Sequence, residues 1–217
     1  MKIIEILLLS TDLPATEQFY TEVLNVKVLY KNKDEVSFLI GTTKLSFGYT
    51  ALQSPNYHLA IDIPNNKLHE AFDWLKHKTE ILPVTATSQF SKFEAWNAES
   101  LYFYDNNGNL LELISRKDVL NNAKLDFDEA QLLYISEIGI VCENVNAQAK
   151  KLTTDYNLPY YPKQPKQDDF TVLGDEQGLI ILVSPHRNWY PTNRKAEAFP
   201  LSVIFTQGSD LKHVLSL

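Results

Sequence analysis

The sequence predicts an α+β protein assembled from a repeated βαβββ unit, and three observations carry that prediction. Short apolar runs alternate with single amphipathic helices. The order of one strand, one helix and three strands recurs along the 217 residues. Clusters of Asn, Asp and Gly separate the runs and mark the turns between strands.

The first unit opens with a strand over residues 2–9. Thr11-Asp12-Leu13-Pro14 then supplies a capping candidate and an early proline, a helix start. Phe19 with Val23 and Tyr20 with Leu24 form i, i+4 pairs on that helix. Strands are expected near 26–31, 35–40 and 43–49. The second unit repeats the order from a strand at 57–63. Pro64-Asn65-Asn66 leads into a helix whose face is Leu68, Ala71, Phe72 and Leu75. Its strands are expected near 82–86, 100–104 and 109–115. The long loop 87–99 holds Phe90, Phe93 and Trp96 and reads either as a binding loop or as packed surface. Residues 117–133 read as a linker. A third complete unit starts at Tyr134, with strands near 159–162, 168–173 and 178–184. A truncated fourth opens at Phe199 and ends in a short helix over 209–217. The expected division is therefore a two-unit module at 1–116 carrying the site, the linker, and a second module at 134–217.

Composition excludes several classes. Hydrophobic residues make up 44% and aromatics 12%, enough for a packed core rather than disorder. The net charge is −7 and no basic patch with interleaved aromatics occurs, so nucleic acid is not an expected partner. No apolar stretch reaches the roughly 20 residues of a membrane helix. The N-terminal run is interrupted by Glu5 and is not read as a signal peptide. A cytoplasmic protein is expected. The single cysteine, Cys142, is read as core filler. No glycine loop suited to phosphate is present, so nucleotide cofactors are not expected.

Glu5, His58 and Glu112 interrupt apolar strands. A carboxylate inside such a strand is costly to bury unpaired. A bound cation explains the three residues. The competing reading is a hydrogen-bonded cluster with a protonated His58 between two carboxylates. Ser184-Pro185-His186-Arg187-Asn188-Trp189-Tyr190-Pro191 is an aromatic-rich loop. It reads as a packed crossover in preference to a cover for the pocket.

Two stretches carry a resemblance to a known family. They are Ser10-Thr11-Asp12-Leu13 running into Phe19-Tyr20-x-x-Val23-Leu24, and Leu101-Tyr102-Phe103-Tyr104-Asp105-Asn106-Asn107-Gly108-Asn109-Leu110-Leu111-Glu112. The chain resembles the vicinal oxygen chelate superfamily, which includes glyoxalase I, extradiol dioxygenases and bleomycin-resistance proteins. The resemblance implies tandem βαβββ units forming cupped mixed sheets around a divalent metal. Its ligands would come from the first and last strands of units one and two. Those positions match Glu5, Ser46, His58 and Glu112. Glu5 stands where the family often has histidine, and Ser46 offers no strong fourth ligand. The set is oxygen-rich and suits Mn²⁺, Fe²⁺, Ni²⁺ or Zn²⁺.

The resemblance implies a metal-dependent lyase, isomerase or oxygenase acting on a small vicinally oxygenated molecule. Glu5 or Glu112 would be its base, and Ser46, Phe47, Trp96, Tyr102 and Tyr104 would line the ligand. The alternative it implies is a metal-free protein that binds or sequesters a small molecule. Glu137 repeats the spacing of Glu5, standing seven residues before Asn144 as Glu5 stands before Asp12. It is expected to serve the fold. A homodimer is expected to cover the exposed sheet edge of the truncated unit.

Overall fold

A computed structural model describes residues 1–51, 54–208 and 211–217. The elements run in the order β1 (Lys2–Ser10), α1 (Leu13–Glu22), β2 (Val28–Lys31), β3 (Glu35–Ile40), β4 (Thr43–Tyr49), β5 (His58–Ile63), α2 (Leu68–Leu75), β6 (Ser91–Phe93), β7 (Ala98–Tyr104) and β8 (Leu110–Arg116). Then come β9 (Tyr134–Val141), α3 (Val145–Tyr156), β10 (Phe170–Asp175), β11 (Gly178–Val183), β12 (Ser202–Thr206) and β13 (Lys212–Ser216). The chain is α+β, with mixed sheets, as the sequence predicts.

The caps form where polar residues precede apolar runs. Asp12 accepts from the Ala15 amide at the start of α1, and Asn144 accepts from the Ala147 amide at the start of α3. Each helix buries one stripe: Leu13, Thr16 and Tyr20; Leu68, Ala71 and Leu75; Val145, Ala149 and Leu152. The strands alternate, and their helix-facing sides merge into one core containing Ile6, Leu59, Leu113 and Ile138.

The pairing of the units departs from the expected modules. One sheet has the order β13-β12-β1-β4-β3-β2, so unit one joins the truncated fourth unit. The other has the order β10-β11-β9-β5-β8-β7-β6, so unit two joins unit three across the linker. A cup made by units one and two is thereby corrected. The physical reason is a buried ion network. Arg116 on β8 donates from Nε to Asp62 Oδ1 on β5 at 3.0 Å, and from Nη2 to Glu137 Oε1 on β9. Asp62 also accepts from the Tyr134 hydroxyl and the Ser136 hydroxyl, each at 3.0 Å. These bonds are satisfied only when β9 lies beside β5. A bulge in β9 accompanies them: the register shifts between the Ala60↔Glu137 and Ile61↔Ile135 pairs.

The linker is docked rather than free. Phe127 and Leu132 are buried, and Asn65 holds the Val119 carbonyl at 2.7 Å. The turn after β7 is a second fastening. Asp105 accepts from the Asn107 and Asn109 amides and from the Tyr20 hydroxyl of α1. Asn109 in turn accepts from the Tyr57 amide, which fixes the start of β5.

Two further differences concern the ends of units. The strands expected near 82–86 and 159–162 reduce to isolated bridges at Thr85 and Tyr160, with a further one at Ile81. The short helix expected over 209–217 is not formed. Among its described residues, Lys212–Ser216 is β13, paired antiparallel with β12. The burial there alternates along the strand, with Leu215 inward between exposed Val214 and Ser216. So short a segment cannot offset the cost of helix nucleation, whereas β12 offers ready hydrogen-bond partners.

Removing Arg116 leaves two buried carboxylates without their cation. Arg116→Met is expected to lower stability by roughly 3–5 kcal/mol in urea denaturation. Lys117→Met, at the surface, should change it by less than about 1 kcal/mol.

Candidate metal centre

The seven-stranded sheet presents one face away from the helices. On that face β5 brings His58, β8 brings Glu112 and β9 brings Glu137 together. Each offers one ligand atom, and these atoms lie within 4.8 Å of one another. All three side chains are buried. His58 Nδ1 lies 3.1 Å from the Leu110 carbonyl, to which it donates. This leaves Nε2 as an acceptor, 3.6 Å from Glu112 Oε2. Two atoms bearing lone pairs thus face each other, an arrangement relieved by a proton or a cation between them. A carbonyl behind the imidazole is also how metal-ligating histidines are oriented.

Electrostatics separates the groups. Burial pushes the His58 imidazole down to about 4. Burial, then repulsion from Glu137, pushes Glu112 up to about 8. Burial also raises Glu137, and the Arg116 guanidinium opposes that shift. Arg116 and Asp62 offset each other in charge, so Glu112 and Glu137 remain to balance a divalent cation. One imidazole and two carboxylates therefore fit such an ion, with open positions for water or substrate.

The fourth inward position is apolar. The Leu59↔Ile138 pair lies at the centre of an approximate two-fold between β5 and β9. About it, His58 corresponds to Glu137. Ala60 corresponds to Gly139, so the Ala60↔Glu112 pair of β5 and β8 matches the Gly139↔Ile181 pair of β9 and β11. Ile181 therefore occupies the counterpart of Glu112.

A cavity of about 350 Å³ opens over the cluster. Its lining includes Phe93, Trp96, Tyr102, Gln164, Trp189 and Tyr190. Small residues in the sheet make room for the indoles. Trp96 packs against Ala60, Ala98 and Ile114. Trp189 sits on Gly139, where a Cβ would come within 2.4 Å of its ring, and its centroid is 5.2 Å from that of His58. Arg194 fastens this segment by donating to the Gly108 carbonyl at 2.7 Å. The aromatic-rich segment 184–191 is therefore packed and also lines the pocket. The loop 87–99 does the same through Phe93 and Trp96.

The structure brings together His58, Glu112, Trp96 and Tyr102 of the residues singled out in the sequence. It leaves Glu5, Ser46 and Phe47 in the six-stranded sheet. There Glu5 accepts from Lys44 at 2.8 Å, and Phe47 packs on Tyr20 in the core. Tyr104 packs against the cavity's apolar cluster without lining the cavity itself. Glu137, expected to serve the fold, does so through Arg116 and also belongs to the cluster. Its spacing before Asn144 was the legible signal.

A curled mixed sheet built from two βαβββ units, with a buried His-Glu-Glu cluster on its open face, defines a class of cupped-sheet proteins. The chain belongs to the Glyoxalase/Bleomycin resistance protein/Dioxygenase superfamily, whose family model matches residues 2–113, more than half of its length. Among solved structures, a candidate dioxygenase from Bacillus subtilis subsp. subtilis str. 168 has a TM-score of 0.60 at 17% identity, over 84% of this chain and 63% of that one. Glyoxalase I from Zea mays has a TM-score of 0.59 at 14% identity, over 99% of this chain and 92% of that one. At these identities the likeness is one of fold. This chain spans less than two thirds of the Bacillus protein. No curated protein matches it in sequence.

The pKa directions give a pH prediction for chelator-treated protein. His58 is lowered, so its contribution to stability is present above about 6.5 and is lost as pH falls toward about 4. Glu112 is raised, so its contribution is present below about 4.5 and is lost as pH rises through about 8. Above about pH 6.5 the His58 contribution is constant, while Glu112 lowers stability as pH rises toward about 8, in the same direction as the raised Glu137. Melting temperature should fall with pH there in the wild type, and Glu112→Gln should flatten that fall. Parallel slopes would contradict the assignment.

Proposed function

We propose that the protein is a cytoplasmic, homodimeric, divalent-metal-dependent enzyme of lyase, isomerase or oxygenase type. Its substrate would be a small vicinally oxygenated molecule. The observation that carries this reading is the convergence of His58, Glu112 and Glu137 on one buried point beside a cavity. No helix among the described residues is long and apolar enough to cross a membrane.

His58 Nε2 and one oxygen from each carboxylate would hold Mn²⁺, Fe²⁺, Ni²⁺ or Zn²⁺. When bound, such an ion supplies Lewis-acid stabilisation of negative charge developing on substrate oxygens. The protein's own groups do the rest. Arg116 donates to one oxygen of Glu137 and so fixes that carboxylate beside the cluster. Glu112 has no cation of its own among the side chains bonded to it, so its carboxylate is the group at the cluster placed to take a proton from the substrate and return it. Trp96 and Trp189 wall the cavity, limit water and favour a flat ligand. Ile181 keeps the far side apolar.

One observation favours a second reading, metal-free binding or sequestration of a small molecule. A protonated Glu112 facing a neutral His58 satisfies both groups without an ion. Metal analysis separates the two. Protein expressed in metal-supplemented medium and purified without chelator should carry about one divalent ion per chain by plasma mass spectrometry. His58→Ala should lose it while keeping its fold by circular dichroism. Wild-type protein free of metal under those conditions would leave the sequestering reading in its place.

A further inference from the structure

The cavity over the cluster has a part that the chemistry at His58, Glu112 and Glu137 does not use. Phe170 and Val183 line it, together with Gln167, Arg187 and Asn188. Arg187 is the one lysine or arginine among the lining residues. The row Val141, Val183 and Phe170 crosses the sheet four residues along β9 from Glu137, about 13 Å at the rise of a strand.

Three neighbours hold Arg187 in this position. Its guanidinium carbon lies 4.6 Å from the centre of the Phe170 ring. Its Nη1 donates to the two Asp169 oxygens at 3.1 and 3.0 Å, and to Gln167 Oε1 at 3.3 Å. Asp169 does not line the cavity, so it anchors the guanidinium from outside. All of these bonds use one nitrogen. Nε and Nη2 make no hydrogen bond among the described residues. Gln167 accepts through its oxygen, which leaves its amide nitrogen as a further donor.

Taking the cavity as a small-molecule site, as above, we propose that Arg187 binds the carboxylate of a small, flat organic acid there. The Nε–Nη2 edge of a guanidinium carries two parallel N–H groups, and their spacing matches the two oxygens of a carboxylate. That is the edge left open here. Charge selects an acid over a neutral ligand. The chain carries a net charge of −7, which repels an anion from most of its surface. On the cavity wall a fixed cation meets it instead. The Arg187 side chain is 36% exposed, so the contact is partly shielded from water. The acid group is then remote from the cluster. Binding there orients the rest of the molecule toward His58, Glu112 and Glu137.

Equilibrium dialysis of the chelator-treated full chain with trans-cinnamate and with trans-cinnamamide tests this. The two probes share size and shape and differ in charge. Without a divalent ion the acid cannot bind through a metal, so a preference reports the protein's own groups. The wild type is expected to bind the acid roughly 10-fold tighter than the amide. Arg187→Gln should bring the two affinities within about 2-fold of each other and leave that of the amide unchanged. Lys195 lies outside the cavity lining, where it donates to the His186 carbonyl. Lys195→Gln removes the same charge and should keep the wild-type preference. Equal binding of acid and amide by the wild type would overturn the proposal. So would a preference that survives in Arg187→Gln, or one lost equally in Lys195→Gln. Binding of neither probe would overturn both the proposal and the reading of the cavity as an organic-ligand site. Metal content of untreated protein decides the metal reading separately.

Discussion

Arg116 holds together the part of the structure on which the rest depends. Its side chain is 1% exposed and lies between Asp62 on β5 and Glu137 on β9. Burial opposes its charge, but the two carboxylates outweigh that effect and raise its pKa. A buried ion pair contributes little net stability against a hydrophobic replacement. Its value here is specificity. Asp62 accepts from Arg116, Tyr134 and Ser136 together, and only the β5–β9 pairing brings all three within reach. The alternative pairing, units one and two, would strand these charges.

That constraint reaches the candidate site directly. With β9 beside β5, Glu137 lands near His58 and Glu112. Arg116 bonds one of its oxygens and so anchors the carboxylate there. The network thus sets both which units form the cup and how one of its carboxylates is oriented. The small residues Ala60, Ala98 and Gly139 then admit Trp96 and Trp189 over the same face. The resulting cup is unequal: His58, Glu112 and Glu137 gather on one part of its wall, and Ile181 and Val183 occupy another, with Gln164, Gln167 and Arg187 also lining it.

Much of this was legible in the sequence, for identifiable reasons. The first and last strands of units one to three, the capped helices at Asp12 and Asn144, and the turn 105–109 are local features, and they appear where the residues put them. His58 and Glu112 stood out because polar groups in apolar strands demand partners. The pairing of units was not legible. Every unit presents strands with the same alternation, so periodicity cannot say which unit joins which. Asp62, Arg116 and Ser136 carry that information, and their connection spans up to 74 residues of sequence. Glu5 shows the cost of missing it. It occupies the matching position in the wrong sheet, where Lys44 pairs with it. The strand Lys212–Ser216 is not legible because so short a segment has no periodicity that distinguishes strand from helix.

The central claim is that Glu137, not Glu5, completes the cluster with His58 and Glu112. Isothermal titration of chelator-treated protein with Mn²⁺, Ni²⁺ and Zn²⁺ tests it most directly. Glu137→Gln should weaken the tightest-binding ion by roughly 100-fold, while Glu5→Gln should leave its affinity within about 3-fold of wild type. Weakened binding in Glu5→Gln with unchanged binding in Glu137→Gln would contradict the account.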